Sequence, residues 1–211
     1  MSSAANSRVV EKFYVHPHAL VESSDIGPNT RIWAFAHVLK GARIGANCNI
    51  GDHAFVESEV VLGDNVTVKN GVAIWNLVTI EDNVFLGPNC VFTNDKNPRS
   101  YIKKSVEQLD TTLVRANATI GANATILCGV TIGSYAFIGA GAVVIRFVPD
   151  YALLVGNPSR QIGWMCCCGE KLPAAPSLPL AASVDCLHCK TSFVRTEVGL
   201  SEVQIPPARK E

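Results

Sequence analysis

The sequence has no excess of charge of either sign and no long apolar run. Its 18 lysines and arginines balance its 18 aspartates and glutamates, so nothing favours a polyanionic partner such as nucleic acid or an anionic membrane surface. No segment has the continuous apolar stretch of a signal peptide or of a membrane span. We therefore expect a cytoplasmic protein that neither binds nucleic acid nor inserts into a membrane.

Histidine is scarce and unevenly placed. The five histidines are His16, His18, His37, His53 and His188, so none lies between residues 54 and 160. Histidine is the most frequent general acid or base in enzymes and a common zinc ligand. Any chemistry in the middle of the chain must therefore use other groups, although His37 or His53 from a neighbouring segment or subunit stays open as a base.

A repeat of six residues runs through most of the chain. Apolar residues recur at steps of six from Leu20 to Phe92, and again from Val114 to Val144, which makes nineteen positions in two phases. A small residue or valine follows most of them four places later, and glycine with asparagine or aspartate marks the turns. Such hexads stack as a parallel β-helix, and their number predicts about six coils.

The repeat is interrupted between Phe92 and Val114 by a polar segment that carries several cations. We predict that this segment leaves the scaffold as a loop, where ligand chemistry is common and phosphate groups suit arginine and lysine. The predicted organisation is a lead-in at 1–14, a β-helix domain at 15–160 with its loop at 93–113, and a cysteine-containing tail at 161–211. Residues beyond about 195 are predicted to be poorly ordered.

The residues around the interruption resemble the nucleotide-sugar 3-N-acetyltransferases, a group of hexapeptide-repeat acyltransferases. The resemblance rests on GPNCVFTND at 87–95, PRS at 98–100, GANATI at 121–126 and GNPSRQIGWM at 156–165. It implies an all-β, left-handed parallel β-helix with a protruding loop, since the period alone does not reveal the hand. It also implies a homotrimer with active sites between neighbouring prisms, and acetyl-CoA as the co-substrate.

The same resemblance implies a set of site residues. Asn94 is expected to orient the amine, with Asp95 as the second catalytic candidate. The remaining candidates are Asn70, Asn76 and Arg99 for the sugar, and Asn123, Gly141, Arg146 and Arg160 for CoA. A backbone amide near Gly141 could hold the thioester oxygen. Asn70 and Asn76 are equally compatible with a purely structural place at a coil corner.

The substrate implied first is UDP-2-acetamido-3-amino-2,3-dideoxyglucuronate, a precursor for bacterial surface polysaccharide such as lipopolysaccharide. The FTND run instead resembles enzymes that act on dTDP-3-amino-3,6-dideoxyhexoses, which is the alternative. A prism without catalysis is a further alternative. A γ-type carbonic anhydrase shares the prism but needs three zinc-binding histidines, which the middle coils lack.

Cysteines crowd the tail. A Cys-x-Cys-Gly run and a Cys-x-x-Cys run are separated by seventeen residues, and Cys166, Cys168, Cys186 and Cys189 resemble the ligands of a small zinc knuckle. The spacing of the first pair departs from the usual one, and a third adjacent cysteine, Cys167, makes the pair ambiguous. Structural zinc and a metal-free packed ribbon both stay open.

Overall fold

The computed structural model describes residues 13–203, and these residues form short strands almost throughout. Up to the interruption the strands are β1 (Tyr14–Val15), β2 (Leu20–Val21), β3 (Asp25–Ile26), β4 (Arg31–Ile32), β5 (His37–Val38), β6 (Arg43–Ile44), β7 (Asn49–Ile50), β8 (Phe55–Val56), β9 (Val61–Leu62), β10 (Thr67–Val68), β11 (Ala73–Ile74), β12 (Val78–Ile80), β13 (Phe85–Leu86) and β14 (Val91–Phe92). After it come β15 (Thr112–Val114), β16 (Thr119–Ile120), β17 (Thr125–Ile126), β18 (Thr131–Ile132), β19 (Phe137–Ile138), β20 (Val143–Val144), β21 (Ala152–Val155), β22 (Arg160–Trp164), β23 (Ser183–Asp185), β24 (Ser192–Thr196) and β25 (Gly199–Glu202).

Every third strand stacks on the same side, so the chain winds as a three-sided solenoid. The first face has the order β1-β4-β7-β10-β13-β16-β19-β21, the second β2-β5-β8-β11-β14-β17-β20, and the third β3-β6-β9-β12-β15-β18. All these neighbours pair in parallel, as in β10 with β13. The predicted all-β architecture, a left-handed parallel β-helix of hexapeptide repeats, is confirmed.

Each hexad folds as a two-residue strand followed by a corner. In β4 Ile32 points inward and is fully buried while Arg31 is exposed. The small residue four places later, such as Ala36, is also buried, because it fills the corner of the triangle. Corner residues adopt left-handed backbone angles, as at Asn65 with φ 57°, which asparagine tolerates better than most residues. The core is therefore a column of stacked aliphatic side chains.

Two details of the predicted repeat are wrong. The inward residue of β2 is Val21, which pairs with buried Val38, whereas Leu20 pairs with His37 and is 56% exposed. The step from Val21 to Ile26 has five residues, so the hexad register begins at Ile26 rather than at Leu20. The first face also carries eight parallel strands, so the solenoid has about eight coils and not six. The count left out one strand at each end, β1 and β21.

The interruption leaves the solenoid between β14 and β15, and contains a short 3-10 helix at Val106–Gln108. At the other end, β22 turns back antiparallel to β21, and β23, β24 and β25 form a separate antiparallel sheet. Residues 195–203 belong to this sheet or follow it directly, so the prediction that order ends near 195 is wrong for them; Pro206 and Pro207 lie outside the described residues. Among the described residues, no helix is long and apolar enough to cross a bilayer.

Candidate active site

Two edges of the solenoid carry the predicted site residues. We call the edge between the second and third faces the loop edge; it includes residues 75–77, the loop and residues 145–147. The far edge lies between the first and second faces and includes residues 69–72, 121–124 and 139–142. The second face of the solenoid separates the two edges within one chain.

A polar ladder crosses three coils of the loop edge. The Nδ2 group of Asn94 donates to Oδ1 of Asn76 over 2.7 Å, and the backbone N–H of Asn76 donates to Oε2 of Glu57 over 2.7 Å. Because Nδ2 of Asn94 is already engaged, its carbonyl oxygen is the part of the side chain that can accept from a ligand amine. The structure thus brings Asn94 and Asn76 together at the root of the loop.

Asp95 is held in an ion pair inside the loop. Nζ of Lys104 contacts Oδ1 of Asp95, and the backbone N–H of Asn97 donates to the same oxygen over 2.8 Å. The hydrogen bond from Lys104, assisted by that from Asn97, lowers the pKa of Asp95 below its ordinary value. A carboxylate with a lowered pKa is a weaker base, so Asp95 is better suited to keep a negative charge near the amine than to accept its proton.

Further contacts fasten the base of the loop to the solenoid. The backbone N–H of Asp110 donates to the carbonyl of Asn94 over 3.1 Å, and Lys96 forms an ion pair with Asp110 at 3.0 Å. Oγ1 of Thr93 accepts from the backbone N–H of Cys128 over 2.9 Å. These contacts fix the backbone position of Asn94 relative to the next coil.

The three predicted arginines lie apart. Arg99 is exposed in the loop, where it donates to the carbonyl of Pro98 over 3.0 Å. Arg146 is exposed on the loop edge two residues after the end of β20, between the exposed side chains of Ile145 and Phe147. Arg160 is exposed at the start of β22, beyond the last coil. All three guanidinium groups are accessible to an anionic ligand.

The remaining predicted residues lie on the far edge. Asn70 donates weakly to Asp52 over 3.5 Å, and Asn123 has a left-handed φ of 57°, so both also serve as corner residues. The backbone N–H of Gly141 donates to the carbonyl of Ala122 over 2.8 Å, which leaves that amide occupied. A Cβ atom at Gly141 would meet no atom within 4 Å, so the surface there is open to a ligand.

Within one chain the structure therefore unites Asn76, Asn94, Asp95 and Arg99 at the loop edge but leaves Asn70, Asn123 and Gly141 elsewhere. It also adds two residues that sequence reasoning missed, Glu57 and Lys104. Glu57 precedes Asn76 by nineteen residues, about one coil, and this spacing was the available signal. Lys104 gave no signal beyond its charge, since the path of an irregular loop does not follow from the repeat.

Three other reactive groups of the described residues are paired, stacked or buried. His37 pairs with Glu22 at 3.0 Å, and the ring of His53 stacks on that of Phe35 at 5.0 Å. Burial raises the pKa of the Cys90 thiol to about 12, which makes it a poor nucleophile. Positioning by amide and carboxylate groups is therefore the chemistry that this edge supports best.

Four of the tail cysteines form a separate cluster. The Sγ atoms of Cys166, Cys168, Cys186 and Cys189 all lie within 4.8 Å of one another. The first and third of these residues are buried, and the other two are exposed. These four are the residues of the described chain that could hold a metal as a group.

Comparison with known proteins agrees with this architecture. The family of bacterial transferase hexapeptide repeats matches residues 23–58 and 111–146, and the hexapeptide repeat of succinyl-transferase matches residues 77–93. A relative from Aneurinibacillus thermoaerophilus, dTDP-3-amino-3,6-dideoxy-alpha-D-galactopyranose 3-N-acetyltransferase, is 57% identical over 162 residues, which span 77% of this chain and 83% of the relative. The bifunctional protein GlmU of Synechococcus sp. (strain CC9605) is 27% identical over 150 residues, which span 70% of this chain and 31% of that protein.

Among solved structures, the acetyltransferase domain of PglB from Neisseria gonorrhoeae FA1090 in complex with acetyl coenzyme A is similar. The match has a TM-score of 0.49 and 22% identity, and it covers 71% of this chain and 57% of that chain. A mutant of GDP-perosamine N-acetyl transferase from Caulobacter crescentus, in complex with CoA and GDP-perosamine, matches with a TM-score of 0.44 and 23% identity, covering 73% of this chain and 58% of that one.

The high identity to one curated relative along most of both chains decides the family, and it confirms the resemblance seen in the sequence. The interpretation as a prism without catalysis is thereby set aside. The chain belongs to the hexapeptide-repeat family of bacterial transferases and, within it, to the acetyl-CoA-dependent sugar N-acetyltransferases.

Proposed function

We propose that the chain transfers the acetyl group of acetyl-CoA to the 3-amino group of a dTDP-linked 3-amino-3,6-dideoxyhexose. The observation that carries the proposal is the 57% identity to an enzyme named for such a substrate, over 83% of that enzyme's length. The match includes the region of the FTND run, whose resemblance already pointed to dTDP sugars. The first expectation, the UDP-linked uronate, is less well supported, because the relative's sugar has no carboxylate for Arg99 to meet.

The loop edge suits the chemistry of this transfer. The amine nitrogen attacks the thioester carbonyl carbon, the carbon–sulfur bond breaks, CoA leaves as a thiolate, and the proton lost from nitrogen goes to that thiolate or to solvent. An amino sugar is a weaker base than a lysine side chain, so part of it is neutral near neutral pH. The Asn94 carbonyl orients the neutral amine, and the negative charge of Asp95 stabilises the positive charge that develops on nitrogen.

We further propose a homotrimer in which each active site joins the loop edge of one subunit to the far edge of its neighbour. This arrangement explains why Asn94 and Gly141 lie on different edges of the same chain. The open surface over Gly141 would then accept CoA beside the neighbour's loop. The cytoplasm, where acetyl-CoA and nucleotide sugars are found, is the compartment that fits this reaction, and the acetylated sugar would serve surface-polysaccharide synthesis.

Mixed trimers test the shared site. Homotrimers of Asn94→Ala and of Gly141→Trp should both lose most of their activity, the second because the indole fills the CoA surface; because φ is +69° at this residue, an unchanged strand spectrum is required of that variant. Random mixing of the two chains should restore about a quarter of the sites, because half of the loop edges and half of the far edges are intact and each site needs one of each. Failure of a well-mixed sample of folded trimers to regain any activity would contradict a site shared between subunits.

The proposed reaction is tested by offering the protein acetyl-CoA and dTDP-3-amino-3,6-dideoxygalactose. We expect free thiol to appear together with a product acetylated on the 3-nitrogen, identified by mass spectrometry and NMR. The matched control is the same nucleotide sugar with a 3-hydroxyl group, which should bind without being acetylated. Thiol release that is independent of the amino sugar, or acetylation at another position, would refute the proposal.

A further inference from the structure

The cysteine cluster has the spacing of thiolates around one metal ion. The close pairs join the two cysteine runs: Sγ of Cys166 lies 3.4 Å from that of Cys189, and Sγ of Cys168 lies 3.7 Å from that of Cys186. Four thiolates held at about 2.3 Å from a tetrahedral zinc ion lie about 3.8 Å from one another, whereas bonded sulfurs are about 2.05 Å apart. The arrangement therefore fits a single tetrathiolate site.

Each cysteine run lies in a tight turn, closed by a hydrogen bond between residues three apart in the first run and four apart in the second. In the first turn the N–H of Gly169 donates to the carbonyl of Cys166 over 2.9 Å, and in the second the N–H of Lys190 donates to the carbonyl of Cys186 over 3.0 Å. The residue after the second cysteine is left-handed in both, with φ 91° at Gly169 and 65° at Lys190. Left-handed backbone is uncommon for lysine, yet both runs have such a residue directly after their second cysteine.

The surroundings explain which residues take part. Cys166 and Cys186 are buried with Leu172 and Val184 in an apolar core that is continuous with that of the solenoid. Cys167 contacts Cys166 alone among the four, with 3.8 Å between their Sγ atoms, and neither Cys167 nor His188 belongs to the group whose ligand atoms lie within 4.8 Å of one another. The structure thus resolves the ambiguity of the three adjacent cysteines in favour of Cys166 and Cys168.

The cluster also lies where the solenoid ends. Strand β25 bridges to the last coil through Asp150 and Gly199, and the hydroxyl of Tyr151 donates to Glu202 over 2.9 Å. Between β22 and β23 the chain has an isolated bridge from Met165 to Lys171 and scattered backbone hydrogen bonds, such as that from the N–H of Leu172 to the carbonyl of Trp164 over 2.9 Å, but it contributes no strand to a sheet. The ends of solenoids must be covered, and small segments without enough core often depend on a metal.

We infer that Cys166, Cys168, Cys186 and Cys189 bind one zinc ion, and that this ion fastens the C-terminal lobe, residues 165–203, over the end of the solenoid. The thiols lose their protons to solvent on binding, and the metal has no part in acetyl transfer. This inference does not depend on the identity of the sugar.

Metal analysis of the full-length protein, purified under reducing conditions, tests the site. We expect about one zinc ion per chain, and in protein refolded with Co²⁺ the visible absorption of a tetrahedral cobalt thiolate. Cys168→Ser and Cys189→Ser change exposed ligands, so they should keep the solenoid's strand spectrum while losing most of the metal. The controls Cys167→Ser and His188→Ala should bind it in full.

Limited proteolysis tests the role of the metal. Chelation should make the segment between β22 and β23 cleavable, while the solenoid up to residue 160 stays intact and continues to bind acetyl-CoA. Reduced wild-type protein without bound metal, or a Cys167→Ser variant that loses it, would overturn the inference. A chelated protein that resists protease as well as the loaded one would overturn the proposed role as a fastener.

Discussion

Replacing Asn94 by alanine removes the side chain that we expect to orient the substrate amine, and its effect can be estimated from the structure. The bond to Oδ1 of Asn76 at 2.7 Å joins neutral groups, so its loss costs about 0.5–1.5 kcal/mol of stability and the solenoid should fold. A hydrogen bond to a group that becomes charged contributes about 1.5–3 kcal/mol, so kcat/KM should fall about 10- to 200-fold.

Thiol release with acetyl-CoA and the dTDP-linked amino sugar measures this loss. Asn97→Ala is the matched control, because Asn97 lies in the same loop but takes part there through its backbone, accepting from Lys104 and donating to Asp95. Asn76→Ala should lower kcat/KM less, and the double variant should be no worse than Asn94→Ala, because Asn76 acts through Asn94. A normal kcat/KM for Asn94→Ala, or losses that simply add, would refute the role given to this pair.

Two further predictions concern the loop and the core. In Lys104→Met the pKa of Asp95, followed by NMR, should rise toward the ordinary value of about 3.9. In the wild type this ion pair contributes fully to the stability of the folded protein above that pH. The contribution is lost as the pH falls through the lowered pKa that Asp95 has in the folded protein. An unchanged pKa would show that the ion pair does not form in solution. Phe92→Ala should destabilise the protein by about 3–5 kcal/mol, because the ring is fully buried in the column, whereas exposed Phe147→Ala should change the free energy of unfolding by about 0.5 kcal/mol or less. Equal denaturation midpoints for the two variants would contradict the assigned core.

The solenoid could be predicted from the sequence because one physical requirement repeats. Each coil must bury an aliphatic residue such as Ile32 and a small corner residue such as Ala36, so the period of six appears directly in the residues. The prediction failed at the first coil, where burial of the inward residue is incomplete. At the exposed first coil Leu20 and Val21 are both apolar, and only the pairing of Val21 with Val38 shows which one points inward.

The site was less predictable because its geometry depends on contacts between distant residues. The motifs identified Asn94 and Asp95. Nothing in the spacing showed that Lys104 forms an ion pair with Asp95, or that the carboxylate of Glu57 accepts a hydrogen bond from the backbone of Asn76. A backbone amide near Gly141 was expected to hold the thioester oxygen, and the sequence could not show that the amide of Gly141 itself donates to Ala122. The separation of the two edges likewise appears only when the coils are stacked in three dimensions.

The most direct test of the proposed function is a competition between the two candidate amino sugars at limiting acetyl-CoA. Equal concentrations of dTDP-3-amino-3,6-dideoxygalactose and UDP-2-acetamido-3-amino-2,3-dideoxyglucuronate are offered together, and both products are quantified by mass spectrometry, which gives the ratio of their kcat/KM values. We predict that the dTDP sugar is acetylated in large excess. Preferential acetylation of the uronate would contradict the proposed substrate, and acetylation of neither would contradict the proposed reaction.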